Sequence, residues 1–173
     1  MPNRATIAEI ANWLKARDDF ALFGHVSPDG DAAGSCIATA LMLNALGKRA
    51  FVVLPGGLPG MYSGFDCSVN LVKAGEKAPF APKTAISIDV SERARLGDGE
   101  ALFASCPESA MLDHHATNPG FGDVYFIDAE AAACGEIIVK LIEAAGCTLT
   151  REMAQWLFIA ISTDSGHFSF SNT

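Results

Sequence analysis

Residues 20–47 read FALFGHVSPDGDAAGSCIATALMLNALG. Residues 20–25 are a short apolar run of strand length. Ser27-Pro28-Asp29-Gly30 is turn chemistry, because Pro presets φ and Asp and Gly tolerate the conformations a turn needs. Residues 31–46 are rich in Ala, Leu and Met and read as a helix, closed by Gly47. Strand, tight turn and buried helix in that order form the first half of a βαβ unit.

The rest of the chain repeats this alternation. Residues 6–17 predict a helix with Ile7, Ile10, Ala11 and Leu14 on one face, capped by Thr6 with Glu9 three residues on. Strands are expected over 49–54, 84–90, 110–113, 124–127 and 168–173, and helices over 98–105, 131–145 and 150–162. Residues 55–60 read as a loop. The stretch 61–82 is punctuated by Gly and Pro, with a small helix expected near Val69. Near-continuous apolar strands alternating with helices predict an α/β fold, a mostly parallel sheet with helices on both faces.

The 173 residues suit one domain, and at 50% hydrophobic they supply a sizeable core. Twelve basic against twenty acidic residues give a net charge of −8. That balance argues against a basic stripe for long duplex nucleic acid, but a short anionic substrate remains compatible if bound cations supply positive charge. The five cysteines lie apart, with no Cys-x-x-Cys pair, and read as reduced core thiols of a cytoplasmic protein. No signal-peptide pattern opens the chain, and no apolar run reaches membrane-spanning length.

Position makes the acidic and imidazole residues informative. His25 ends the first predicted strand, and Asp29 and Asp31 follow it. Asp89 ends another strand. Asp113, His114 and His115 end a third. Asp164 follows the last long helix. Singly, each has an ordinary reading: Asp31 as a helix N-cap, Asp29 as a turn residue, Asp89 as an acceptor of backbone amides. Jointly, they fall where an open parallel sheet binds ligands, beyond the carboxyl ends of its strands. Two carboxylates about 4 Å apart repel by roughly 4 kcal/mol at an effective dielectric near 20. Such a cluster needs raised pKa values or bound cations. Mixed histidine and carboxylate ligands suit manganese, zinc or iron, and the carboxylate excess favours manganese.

Four ordered motifs resemble the DHH phosphoesterase family: GHVSPDGDAAGS (24–35), SIDVSERARLG (87–97), LDHHATN (112–118) and STDSGHFSFSNT (162–173). A fifth, softer stretch is CGEII (134–138). The first and last motifs are similar to the nano-RNase and phosphoadenosine phosphatase branch. Family II pyrophosphatases and cyclic dinucleotide phosphodiesterases stay open as rivals.

The resemblance implies two divalent metal ions, manganese favoured. His25, Asp29 and Asp89 would hold the first, and Asp31, Asp89, His114 and Asp164 the second. It implies His115 as a catalytic and substrate-contacting residue, with Asp113 orienting a histidine. Asn118 and Arg95 are candidates for contacts either to phosphate or to the residues behind the ligands. The implied reaction is hydrolysis of short oligoribonucleotides or 3′-phosphoadenosine 5′-phosphate by an activated water. Residues 1–173 would be the catalytic domain, with the family's second, substrate-binding domain outside the chain. Assembly as a homodimer is left open.

Two readings of other classes stand beside this one. The chain could be a catalytically idle metal-binding or regulatory domain. A Rossmann-type nucleotide module fits less well, because Asp31 interrupts the glycines at 30–34 and would repel a pyrophosphate. Ala133-Cys134 also departs from the family's Ser-Thr before Gly-Glu and removes two hydroxyls.

Overall fold

The computed structural model describes residues 2–171. Seven strands form one sheet in which every pairing is parallel. They are β1 (Asn3–Arg4), β2 (Phe20–Phe23), β3 (Ala50–Val53), β4 (Leu71–Val72), β5 (Thr84–Ile88), β6 (Glu108–Asp113) and β7 (Val124–Ile127). Their order is β1-β7-β6-β5-β2-β3-β4. From β2 the chain winds outward through β3 and β4. It then returns to β5 and winds the other way through β6 and β7. The reversal lies between β2 and β5, and a crevice opens there at the strands' carboxyl ends.

Helices cover both faces, unequally. On one side lie α1 (Ile7–Lys15), α2 (Gly30–Ala45), α4 (Cys134–Ala145) and α5 (Arg151–Asp164), which share the larger core with Leu22, Val52, Ile86 and Leu112. On the other lie a 3-10 stretch (Arg93–Gly99) and α3 (Glu100–Ser105), whose Leu96 and Phe103 pack with Phe23, Phe51 and Met111. The Thr6–Glu9 capping box opens α1 as its sequence predicts.

Small residues decide how closely the large-face helices approach. A Cβ added at Gly34 of α2 would sit 2.4 Å from the Trp156 carbonyl oxygen of α5. One at Gly135 of α4 would sit 2.9 Å from Ala160 Cβ of α5. This close packing brings the start of α2, the start of α4 and the end of α5 to one rim.

Several local expectations are corrected. No helix forms near Val69; residues 71–72 instead pair as β4 on the edge of β3, and a 3-10 turn forms earlier, at Gly60–Tyr62. The expected strand over 168–173 is turn at 168–171, and Asn172 and Thr173 lie outside the described residues. Its backbone bonds run back to the end of α5, with the Ser169 and Phe170 amides donating to the Ser165 carbonyl. Helix α4 starts at Cys134 rather than at 131, with Ala133 extended before it. β5 stops at Ile88 because Asp89 turns to a φ of 60°. Among the described residues, no helix is long and apolar enough to cross a membrane.

Candidate metal centre

The six predicted ligands converge on the crevice. His25 follows β2, Asp29 and Asp31 stand at the start of α2, Asp89 follows β5, His114 follows β6, and Asp164 ends α5. Asp29, not Asp31, is the N-cap of α2: its carboxylate accepts from the Ala32 amide at 3.0 Å. Asp31, freed from capping, is buried at the N-terminus of α4. It accepts from the amides of Cys134 at 2.6 Å and Gly135 at 2.9 Å, and from the Ser35 hydroxyl at 3.0 Å. A helix N-terminus is a favourable place for such a charge.

Asp89 stands in the middle with its two oxygens divided. Oδ2 lies 3.6 Å from His25 Nε2, which is itself 3.6 Å from Asp29 Oδ2. Oδ1 lies 3.7 Å from His114 Nε2, which is 3.4 Å from Asp164 Oδ2 and 3.9 Å from Asp31 Oδ2. These spacings exceed hydrogen bonds but suit donors around a common ion, whose bonds to nitrogen and oxygen run about 2.0–2.2 Å. A carboxylate facing a different donor group with each oxygen is placed to join two such groups.

Each histidine has its tautomer set by an acceptor behind it. His25 Nδ1 faces the Val26 carbonyl at 2.7 Å, His114 Nδ1 the Ala131 carbonyl at 3.2 Å, and His115 Nδ1 the Asp113 carboxylate at 2.8 Å. Carbonyls and carboxylates only accept, so Nδ1 carries a proton in all three rings, and Nε2 of His25 and His114 is left to offer its lone pair. The Arg95 guanidinium, 3.1 Å from His25 Nδ1, is therefore a neighbour of that ring rather than its donor.

Asp113 is fully buried and heavily bonded. It accepts from the amides of His114 at 2.8 Å and His115 at 3.3 Å, from His115 Nδ1, and from the Asn118 amide. Burial opposes its charge, but the bonds from His115 and Asn118 outweigh this and hold its carboxyl below the usual range. The bond to Asp113 in turn lifts the His115 imidazole above its ordinary value. Asn118 is buried, and its amide also donates to the Val90 carbonyl at 2.9 Å, so it braces Asp113 from within the fold.

Sequence reasoning missed three contributors. Ser35, one helical turn after Asp31, holds it by a hydroxyl; the i,i+4 spacing was the available signal. Tyr62 reaches the start of α2, where a Cβ added at Gly30 would lie 2.8 Å from its hydroxyl oxygen. The buried Cys134 thiol, in place of a hydroxyl, lies 3.8 Å from both Asp89 Oδ1 and Asp113 Oδ1. His167 stands apart from the cluster, its Nδ1 2.8 Å from the Ser162 hydroxyl.

The electrostatics of the metal-free cluster are unfavourable. Burial first, then repulsion from Asp31, Asp29, Asp113 and Asp164, pushes Asp89 well above the usual carboxylate range. Burial pushes Asp31 up to about 6 despite the two α4 amides. Burial also raises Asp164. Asp29 goes the other way: burial opposes its charge, yet the neighbouring His25 ring and the bond from the Ala32 amide bring it down to about 2. Carboxylates that resist ionisation, beside imidazoles with lone pairs aimed inward, form a donor set that fits divalent cations.

A pH dependence follows. Asp31 titrates at 3.8 in the unfolded chain and near 6 when folded, so its protonation favours folding below pH 3.8, and that contribution disappears as pH rises through 6. The difference is about 3 kcal/mol. Asp89 and His115, both raised, act in the same direction. Asp29 stabilises above 3.8 and loses that effect only as pH falls through about 2, outside this window. Thermal melts in EDTA are expected to fall between pH 4 and pH 7, and added manganese is expected to restore the loss. A flat profile in EDTA would contradict the assignment of the repulsion to this cluster.

Comparison with known proteins shows the family. Residues 19–161 match the model of the DHH family, N-terminal domain. A bifunctional oligoribonuclease and PAP phosphatase NrnA of Thermus thermophilus is 33% identical over 152 residues, covering 86% of this chain and 44% of that protein. A probable manganese-dependent inorganic pyrophosphatase of Exiguobacterium is 28% identical over 148 residues, covering 83% of this chain and 47% of that protein. The crystal structure of an exopolyphosphatase-related protein from Bacteroides fragilis superimposes with a TM-score of 0.87 at 23% identity, over 96% of this chain and 52% of that one, a likeness of fold. The chain spans about half the length of the curated relatives it matches. With its motifs, its parallel sheet and a family match over most of its length, this chain belongs to the DHH family.

Proposed function

We propose that residues 1–173 form the catalytic domain of a metal-dependent phosphoesterase acting on short oligoribonucleotides and 3′-phosphoadenosine 5′-phosphate. The observation that carries this reading is Asp89, whose two oxygens face separate histidine and carboxylate groups. His25, Asp29 and Asp89 would hold one divalent ion, and Asp31, Asp89, His114 and Asp164 another, with manganese favoured. Bound there, such ions supply positive charge to a phosphate and acidify water.

The chain's own residues do the rest. The carboxylates hold the charge balance of the site, and Ser35 with the α4 amides fixes Asp31 in place. His115, half-exposed at the rim and made more basic by Asp113, carries a second proton on Nε2 and delivers it to the oxygen that leaves phosphorus as water adds from the opposite side. Arg95, beside His25, would meet a phosphate oxygen. Asn118 acts through Asp113 rather than on the substrate. The names of the NrnA relatives support the substrate class, and the pyrophosphatase relative supports manganese. Unpaired thiols, most of them buried, support a cytoplasmic setting.

The test is direct. The 173-residue chain with manganese should release mononucleotide from a three-nucleotide RNA and phosphate from 3′-phosphoadenosine 5′-phosphate. Hydrolysis of pyrophosphate alone would move the assignment to the pyrophosphatase branch. No turnover of any of the three, with metal demonstrably bound, would leave an idle metal-binding domain.

A further inference from the structure

A second cavity opens on the same rim, beyond the loop that carries His115. It encloses about 230 Å³, and its walls include Arg4, Ala116, Asn118, Tyr125 and Ile127. The volume is below the roughly 300–1,000 Å³ of clefts that hold drug-sized ligands, which suits a single ring system. Its placement follows from the sheet. β1 is the edge strand beside β7, and Arg4 is in register with Tyr125. Paired residues present their side chains to the same side of a sheet, and Ile127, two residues on, repeats the direction. An arginine, an aromatic ring and an aliphatic side chain thus share one face at the strands' carboxyl ends. Ala116 follows His115 directly, and the Asn118 amide closes the turn onto the His115 carbonyl at 3.1 Å.

Arg4 is the informative wall. Its guanidinium donates to the Ile127 carbonyl at 3.3 Å, and among the described residues no carboxylate pairs with it. Arg17, Arg49 and Arg93 are each matched by an acidic side chain, whereas Arg4 keeps its charge uncompensated beside the cavity. The single carbonyl bond leaves other N–H donors of the fork for an anion. The Tyr125 ring lies close against the loop: a Cβ added at Gly120, whose φ is +77°, would lie 2.8 Å from it. Fixed aromatic rings stack nucleobases without regard to sequence, and a guanidinium is suited to phosphate.

We propose that this cavity is a nucleotide subsite. It takes the base and phosphate of the residue adjoining the scissile bond, with Tyr125 under the base and Arg4 on the phosphate. The inference rests on the reading of the chain as a phosphoesterase of short oligoribonucleotides. It also explains how an acidic domain would hold an anionic strand away from its metal centre.

The test uses adenosine 5′-monophosphate with the ¹⁵N-labelled 173-residue chain in EDTA, where the bare acidic cluster repels the ligand. Amide shifts should concentrate in residues 116–120 and 125–129. Arg4→Ala should weaken binding by about tenfold or more, the usual scale for a charge-assisted hydrogen-bonding group. Tyr125→Leu keeps apolar bulk and should weaken it separately, so the proposal remains testable if one variant folds poorly. Absence of shifts, shifts centred on residues 25–31, or unchanged affinity in both variants would overturn the subsite. Shifts in the expected segments without cleavage of RNA would leave the subsite standing and remove the substrate assignment. Cleavage without shifts would do the reverse.

Discussion

Asp89→Asn is expected to lower manganese-supported turnover by about 10³-fold or more while leaving the fold intact. Losing a group that merely orients a ligand costs roughly 10–100-fold in metal affinity or activity. Asp89 faces both donor groups directly, through Oδ2 to His25 and Oδ1 to His114, so its loss is felt on both sides. The stability effect has the opposite sign. Burial and four neighbouring carboxylates resist its ionisation in the metal-free protein, and an amide removes that repulsion. In EDTA at neutral pH the variant should melt no lower than the parent. With manganese it should gain less than the parent does. A variant that melts lower in EDTA would mean that Asp89 is a structural acceptor rather than a ligand held against repulsion.

His115→Ala is expected to reduce kcat by about 10²–10⁴, the range for loss of a positioned general acid. Its Nδ1 is committed to Asp113, which leaves Nε2 to act at the rim. The loss should depend on the leaving group. A ribose hydroxyl needs a proton as it departs, whereas p-nitrophenolate does not. The defect should therefore be large on RNA and small on bis(p-nitrophenyl) phosphate, with manganese binding unchanged. Equal losses on both substrates would assign His115 to metal or phosphate binding. Asp113→Asn should follow the same pattern, because it lowers the basicity of the imidazole without touching the reacting atoms.

Much of this site was legible because its chemistry sits at the ends of apolar strands. His25, Asp89 and His114 could be placed on one rim from strand polarity alone, and the ordered motifs pointed to the family. What was hidden depends on the backbone. The acceptors that set the tautomers of His25 and His114 are carbonyls of Val26 and Ala131, which no side-chain pattern announces. Taken singly, Asp31 reads as a cap because it stands near a helix start, although the joint pattern makes it a metal ligand. One residue of difference gave the cap to Asp29 and sent Asp31 to the amides of α4, more than 100 positions away. Those amides arrive because Gly34 and Gly135 let three helices close on one another, a packing effect that periodicity does not encode. The alternation of Ser and Phe over 168–171 imitates a strand, yet nearby acceptors at the end of α5 take its amides first.

In the proposed centre Asp89 joins two cation sites. Anomalous diffraction at the manganese edge, from crystals of the 173-residue chain grown with manganese chloride, tests it most directly. Two peaks are expected: one among His25, Asp29 and Asp89, the other among Asp31, Asp89, His114 and Asp164. A single peak away from Asp89, or none at saturating manganese, would contradict it.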